Sequence, residues 1–369
     1  MKKILLLNRD PWLTFRQLKN TDGITDDGKF QFFINDMNCQ PDFAVVKGKG
    51  IIDTVELPVP KSRTLLLTGE PYDVLEYPRG YCSQFGTVLA CNDKIKADEG
   101  TRIIHTPAML SWFVGAVMDG SGQYRFTMNN EDLRQAHPKK SKLISVITSR
   151  KAFTQGHVDR LRFIEKLQNR YGDKVDIYGS GFSRFDDKWD VLAPYKYHIA
   201  IENSCVDYYW TEKLADCFLA ETFPLYHGCT NVGDYFPRQS YEPIDIRNFD
   251  EAARIIDSVI EQDRYTESYD AIKEAKENVL GKYNIFNYVA DVCSQIHDDG
   301  SKGTTTVGPA SKFFSAHNLY LYRGMALSSA APRASMAKPF SRGDIPSPAS
   351  SFSAQAVRAG MEGRASRAH

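Results

Sequence analysis

The sequence lacks closely spaced cysteines and long hydrophobic runs. Its seven cysteines are scattered and form no C-x-x-C pair, which argues against a zinc ribbon and against a thioredoxin-like redox site. We therefore expect small, buried, reduced thiols. After Met1 come two lysines and only four apolar residues, 4–7, too few for a signal peptide or for the ~18 apolar residues of a membrane span. These absences predict a cytoplasmic protein, at most peripheral at the inner face of the membrane.

Neither sign of charge is in excess over the whole chain, which has 46 basic and 46 acidic side chains. The balance is uneven along the sequence, because residues 301–369 hold nine Lys or Arg and two acidic residues. Residues 1–300 therefore carry 37 basic and 44 acidic side chains. Nucleic-acid binding needs a basic face that neutralises phosphates. The mildly acidic body predicts a protein with no nucleic-acid partner.

The 369 residues, 42% of them hydrophobic, are enough for two domains of ordinary size. Short apolar runs bounded by turn residues are typical of parallel strands covered on both faces. Such runs occupy residues 4–7, 43–46, 64–68, 87–91, 143–148, 175–178, 198–201 and 223–226. Apolar residues three or four apart predict helices over 157–171, over 251–262 with Asp250 as N-cap, and over 284–297. Strands that alternate with helices indicate an α/β fold.

The α/β elements form two sets separated by a polar segment that contains Pro138. We interpret this segment, residues 129–141, as a linker. From about residue 298 the composition shifts to Ser, Ala, Gly, Pro and Arg, which predicts an unstructured basic tail. Alternatively, residues 319–328 form a short apolar helix that docks on the body or on a membrane surface. The tail's positive charges allow at most weak, salt-sensitive contact with an anionic membrane.

Polar residues follow the predicted strand that ends near residue 201. Glu202, Asn203 and Ser204 come directly after it, and a helix is predicted to begin near Thr211. In open α/β sheets, ligands bind at the carboxyl ends of strands, and free backbone N–H groups at a helix N-terminus attract anions. Lys213 adds a full positive charge there. Residues 211–213 are thus a candidate pyrophosphate site; the alternative is an ordinary capped helix with a solvated lysine.

Residues 195–249 resemble the signature of glycosyltransferase family 10, the α-1,3/4-fucosyltransferase family. The matching pieces are Tyr-Lys-Tyr-His-Ile-Ala-Ile-Glu-Asn-Ser (195–204), Thr-Glu-Lys-Leu (211–214), Thr-Phe-Pro-Leu-Tyr-His-Gly (222–228), Asp-Tyr-Phe-Pro (234–237) and Asp-Ile-Arg-Asn-Phe (245–249). Weaker similarity extends back to about residue 64. The resemblance implies a GT-B architecture, in which two Rossmann-like domains face each other across a cleft. It makes residues 1–137 the acceptor-side domain, residues 138–297 the donor domain and residues 298–369 a disordered tail.

The resemblance also implies an activity. Family members transfer L-fucose from GDP-β-L-fucose to a sugar hydroxyl with inversion, so the expected partners are GDP-fucose and an oligosaccharide or glycoconjugate acceptor. No cofactor or metal is expected to be required, because protein cations can replace magnesium in this architecture; stimulation by Mn²⁺ stays open. Two alternatives remain, since fold does not determine the donor. One is a GT-B transferase that uses another nucleotide sugar, and the other is a catalytically silent carbohydrate-binding protein.

The donor-site residues follow from the resemblance position by position. Lys213 stands at the phosphate-binding lysine and Glu212 at a glutamate expected to contact the ribose. Arg160 best matches a family arginine that binds the diphosphate, and Arg162 is the alternative. A guanidinium suits a diphosphate because it donates two hydrogen bonds in parallel. Independently of the resemblance, the aromatic residues 208–210 either pack in the core or line the site of the guanine and sugar rings, since aromatic faces often stack on rings; Tyr209 is expected closest to the ligand. The full set of predicted donor-binding residues is Arg160, Glu202, Asn203, Tyr209, Thr211, Glu212 and Lys213.

Glu70 is the predicted catalytic base. It follows the strand 64–68 in a Thr-Gly-Glu-Pro turn that resembles the family's Thr-Gly-Glu-Asn, with proline in place of asparagine. A base that works near neutral pH needs partial desolvation to raise its pKa; the alternative is a solvent-facing turn glutamate. Two other motifs are set aside: residues 178–181 lack the third glycine of a dinucleotide loop, and residues 186–190 are not interpreted as a metal clamp.

Overall fold

The computed structural model describes residues 1–10, 13–118, 124–150, 152, 154–297 and 300–314. Within these residues the strands are β1 (Lys2–Leu7), β2 (Phe30–Ile34), β3 (Phe43–Lys47), β4 (Val55–Leu57), β5 (Thr64–Leu67), β6 (Thr87–Ala90), β7 (Arg102–His105), β8 (Ala116–Met118), β9 (Tyr124–Phe126), β10 (Lys142–Ser149), β11 (Asp176–Ser180), β12 (Tyr195–Ile201), β13 (Phe223–His227), β14 (Glu242–Pro243) and β15 (Thr305–Val307). The α-helices are α1 (Arg79–Cys82), α2 (Asn130–Gln135), α3 (Gln155–Tyr171), α4 (Glu212–Leu219), α5 (Phe249–Glu261), α6 (Arg264–Glu267), α7 (Tyr269–Leu280) and α8 (Ile285–Ser294).

The first half of the chain forms a parallel sheet in the order β2-β1-β3-β5-β6-β7. Every neighbouring pair in this sheet is parallel. The central strands are buried on both faces, which explains their uninterrupted apolar sequences. Glu70 lies three residues beyond the end of β5, at the carboxyl edge of this sheet.

The second half forms another parallel sheet, in the order β11-β10-β12-β13-β14. From β10 the chain crosses through α3 to β11 on one side, and it then returns to add β12 on the other. The strand order therefore reverses between β10 and β12. Such a switch point leaves a crevice at the carboxyl ends of the two strands, the usual ligand site of open α/β sheets.

The two halves share hydrophobic packing. One buried cluster runs from Ile4 and Phe32 of the first sheet to Ile199 and Leu225 of the second. The last helix, α8, belongs in sequence to the second half, yet the ring of its Phe286 lies 5.1 Å from that of Phe32, between ring centroids. The sheets are therefore held as neighbours by a common core.

The predicted α/β class with two parallel sheets is confirmed, and each predicted strand and helix coincides with an observed element. In the two parallel sheets, the apolar runs missed β2, β7 and β14. Residues 130–135 of the expected linker form α2, because Asn129 caps this helix and Asp132 completes a capping box. The N-cap of α5 is Asn248, whose side chain accepts from the Glu251 N–H, and not Asp250.

The beginning of the expected unstructured tail is also corrected. Residues 300–314 return to the first half, where β15 pairs antiparallel with β4. Val307 is wholly buried in the second hydrophobic cluster, and the Gly308 N–H donates to the Gln84 side chain at 2.7 Å. We call residues 300–314 the strap. Residues 315–369, including the alternative helix 319–328, lie outside the described residues.

Across the described ranges, we find no helix that combines the length and the apolarity needed to cross a bilayer.

Candidate active site

A cavity of about 200 Å³ lies at the switch point of the second sheet. It reaches from the carboxyl ends of β10 and β12 along the first turns of α4. Among the residues that line it, the charged ones are Arg160, Lys188, Glu212, Lys213 and Asp216. Three cations and two carboxylates surround a small volume, so the cavity suits a compact anion.

Thr211 begins α4 and joins it to the end of β12. Its side chain caps the helix by accepting from the Lys213 N–H at 3.3 Å. Its own N–H and hydroxyl donate to the two carboxylate oxygens of Glu202 at 2.8 and 2.7 Å. Glu202 is only 2% exposed. A buried carboxylate with two donors fixes the direction of the helix N-terminus relative to the strand.

Lys213 connects the acidic groups of this turn. Its Nζ lies 3.2 Å from Oε1 of Glu212 and 3.5 Å from Oε2 of Glu202. Burial alone would raise the pKa of Glu212, but Lys213 and Lys188 lower it to about 2. Burial alone would lower the pKa of Lys213, but Glu212 and Glu202 raise it above its ordinary value. The lysine is therefore charged at every physiological pH.

Two glycines allow close packing of the backbone against Glu202 and Asn203 at the end of β12. A Cβ on Gly228 would lie 2.4 Å from Cγ of Glu202, and one on Gly156 would lie 2.5 Å from the carbonyl oxygen of Asn203. Any side chain at Gly228 would push Glu202 away from Thr211. The first turn of α3 therefore lies directly against residue 203, at the carboxyl end of β12.

Arg160, on α3, lines the cavity, whereas Arg162 is exposed. The Arg160 side chain is 6% exposed, and its Nη2 donates to the carbonyl oxygen and hydroxyl of Ser149, both at 3.3 Å. Among the described residues, nothing accepts a hydrogen bond from its Nε. Burial lowers the Arg160 pKa to about 10, which leaves it charged at neutral pH. A buried guanidinium with an unsatisfied donor can bind an anion by a charge-assisted hydrogen bond.

Glu70 occupies the facing edge of the first sheet. Asn92 and Cys91 donate to its backbone oxygen, each at 3.3 Å, and hold the turn. Burial raises the pKa of its carboxyl to about 7, while Lys213 acts in the opposite direction. Glu70 does not line the cavity itself. Cys91, which donates to the Glu70 backbone oxygen, packs with Tyr209, and Tyr209 lies two residues before the Thr211 that caps α4. The Glu70 turn is therefore close to the segment that leads into α4.

Tyr209 lies at the boundary between the halves, not in the wall of the cavity. Its ring is 1% exposed and packs with Cys91 and Ala108 of the first half. The neighbouring Tyr208 has a left-handed backbone, with φ of 67°, and stacks on His105 at 4.7 Å between centroids. Of the two roles considered for these aromatic residues, packing is the one that the structure displays for Tyr209.

Lys188 and Asp216 line the cavity but were not among the predicted site residues. Asp216 is wholly buried, and its Oδ2 lies 2.9 Å from Nζ of Lys188. The i, i+4 spacing of Glu212 and Asp216 on α4 was the available signal, because it places both carboxylates on one helix face. Lys188 comes from a distant segment, so its proximity depends on the fold.

The remaining acidic motif has structural partners. Asp187 accepts from the N–H groups of Gly115 and Trp189 at 2.9 and 2.8 Å, and so ties the segment 187–189 to the first half. The part of the chain that the structure describes contains no group of three or more His, Cys, Asp or Glu residues arranged to hold a metal ion. Residues 178–180 are the end of β11, and the turn that leaves the strand begins at Gly181.

Comparison with known proteins agrees with the motifs of the second half. Residues 137–307 match the family model described as glycosyltransferase family 10 (fucosyltransferase) C-term. Over 67 residues, 18% of the chain, the sequence is 36% identical to the alpha-(1,3)-fucosyltransferase FucT of Helicobacter pylori. The matched segment spans 14% of the length of that relative.

Two solved structures of an alpha1,3-fucosyltransferase resemble the chain at low identity. The one with GDP is 18% identical, covers 80% of this chain and 91% of its own, and gives a TM-score of 0.46. The one with GDP-fucose is 17% identical, covers 81% and 93%, and gives the same TM-score. The similarity to the family therefore depends on the family model and on the motifs of the second half. Residues 137–307, somewhat less than half of the chain, are thus similar to the C-terminal domain of glycosyltransferase family 10.

Proposed function

We propose that the protein is an inverting fucosyltransferase that moves L-fucose from GDP-β-L-fucose to a hydroxyl of an oligosaccharide or glycoconjugate. A single displacement requires cations that stabilise the departing GDP and a base that removes the proton of the acceptor hydroxyl. Arg160, Lys213 and the N-terminus of α4 supply the positive groups. Glu70 supplies the base.

The observation that carries the proposal is the state of Glu70. Its carboxyl is close enough to Lys213 for the two charges to interact, and burial raises its pKa to about 7. A catalytic base is most effective when its pKa lies near the working pH. A turn glutamate in open solvent would have neither the raised pKa nor the link to a lysine of the donor site. This favours the catalytic interpretation over the alternative of a surface glutamate.

In the proposed reaction the donor half holds the nucleotide diphosphate and the first half presents the acceptor. Protein cations neutralise the charge that develops on the leaving group, so no metal or cofactor is required. The neutral or charged state of Glu70 then decides the rate, because only its carboxylate form accepts a proton. General-base assistance of this kind contributes ~10²–10⁴-fold.

Donor hydrolysis and transfer assays test the proposal. We expect the protein to release GDP from GDP-fucose and not from GDP-mannose, and to transfer labelled fucose to members of a glycan array. Glu70→Gln should lose at least a hundredfold in transfer rate while it retains GDP affinity, in keeping with the ~10²-fold worth of a base. Release of the nucleoside diphosphate from another nucleotide sugar, and not from GDP-fucose, would favour a GT-B transferase with a different donor. Carbohydrate binding without any turnover would favour the silent protein.

A further inference from the structure

Lys188 is a third cation of the cavity, and no family motif in the sequence accounts for it. It starts a short 3-10 helix, Lys188–Val191, whose preceding residue, Asp187, is hydrogen-bonded to Gly115 and Thr127 of the other half. The Asp187 side chain therefore ties the start of this helix to the other half. Its side chain, 17% exposed, projects along α4 and lines the cavity with Arg160 and Lys213.

The partners of Lys188 leave it able to bind a ligand. Its Nζ is 2.9 Å from Asp216 Oδ2 and 5.0 Å from the centroid of the Phe113 ring. Asp216 has other donors, because Oδ1 accepts from the Phe113 N–H at 3.1 Å and is 3.4 Å from the Val114 nitrogen. If the Lys188 ammonium group turned toward an anion, the Asp216 carboxylate would keep these hydrogen bonds. The free-energy cost of leaving a buried carboxylate without its cation is therefore reduced.

The cavity also has a net positive charge and buried donors without acceptors, and both favour an anion. Arg160 has no carboxylate partner among the described residues, and its Nε and the Thr148 hydroxyl are buried without partners in the same wall. Glu212 and Asp216 offset two of the three cations. A diphosphate supplies the missing acceptors and adds charge to match the remaining cation, whereas a neutral sugar would leave the guanidinium unsatisfied.

We infer that Lys188 is a donor-binding residue that contacts the diphosphate of the nucleotide sugar, opposite Arg160 and Lys213. This inference rests on the proposed function and extends its donor site by one residue. The third cation then lies on a segment that is hydrogen-bonded to the acceptor-side half. The diphosphate would contact Arg160 of α3, Lys213 of α4 and Lys188 of the segment 187–188.

Calorimetry with GDP, inorganic pyrophosphate and guanosine tests the assignment on the full chain. Lys188→Met should weaken the binding of GDP and pyrophosphate tenfold or more, about 1.4 kcal/mol per tenfold, and leave guanosine within twofold of wild type. Lys188→Arg, which keeps the charge, should stay within about threefold for GDP on the same scale. Should Lys188→Met fail to fold, Lys188→Gln takes its place, since its amide can still donate to Asp216.

Lys196→Met is the matched control. Lys196 also lies 2.9 Å from an aspartate, Asp263, and 5.9 Å from the centroid of an aromatic ring, that of Tyr265, but it does not line the cavity. Its replacement should leave GDP affinity unchanged. Equal GDP affinity in wild type and Lys188→Met, with a loss in Lys213→Met, would overturn the role of Lys188 alone. If wild type binds neither GDP nor pyrophosphate, the proposed function fails and the inference fails with it.

Discussion

Replacing Glu70 by glutamine should make the protein more stable in a pH-dependent way. The carboxyl has a pKa of about 7 in the folded state against an ordinary value of 4.5, so the folded state favours the neutral form. A group whose pKa is raised on folding contributes stability below its unfolded pKa and loses that contribution as pH rises through its folded pKa. The wild type therefore loses about 2 kcal/mol of stability from this carboxyl between pH 5.5 and pH 8.

Glu70→Gln cannot ionise, so its advantage over wild type should grow by that amount, about 2 kcal/mol, between the two pH values. Urea denaturation of both proteins at pH 5.5 and pH 8 measures the difference. Glu99→Gln makes the same chemical change at an exposed position of the same half and is the control. A free-energy difference between Glu70→Gln and wild type that is the same at both pH values would refute the raised pKa, and with it the main argument for a base.

Three further outcomes are expected. The rate of fucose transfer by the wild type should rise about tenfold per pH unit below pH 7 and level off above it, because the carboxylate form of the base is the active one; a flat profile down to pH 5 would contradict this. Arg160→Met should weaken GDP binding about tenfold or more, as the loss of a charge-assisted hydrogen bond does, whereas Arg162→Met should not; equal affinities in calorimetry would remove Arg160 from the site. Val307→Ala should lower the free energy of unfolding by about 1.5–3 kcal/mol, and exposed Thr306→Ala by less than about 0.5 kcal/mol; similar values for the two in denaturant titrations would show that the strap is not packed.

The donor half was predictable because its signals are local. Thr211 followed by Glu212 and Lys213 predicts a capped helix, and the apolar run before Glu202 predicts a buried strand; both lie where expected. The resemblance supplied Arg160, and the structure distinguishes it from Arg162 by burial alone. Short sequence patterns are enough to predict site residues when residues that are close in the sequence are also close in the site.

The features that were missed depend on contacts between distant residues. Lys188 and Asp216 are 28 positions apart, and their pairing also needs the backbone of Phe113. The strap has the composition of a linker, and only its pairing with β4, roughly 250 residues earlier, makes residues 305–307 a strand. Tyr209 packs with Cys91 and Ala108 of the first half, a contact between distant residues that the local sequence does not predict.

The return of the strap to β4 has a consequence for biosynthesis. A ribosome delivers strand Val55–Leu57 long before Thr305–Val307, its only partner strand among the described residues, so Val55–Leu57 stays unpaired until roughly 250 more residues have emerged. The same holds for Phe32, whose aromatic neighbour is Phe286. The half made first is thus completed last, and a chain that stops before residue 300 would leave a finished second half attached to an incomplete first half.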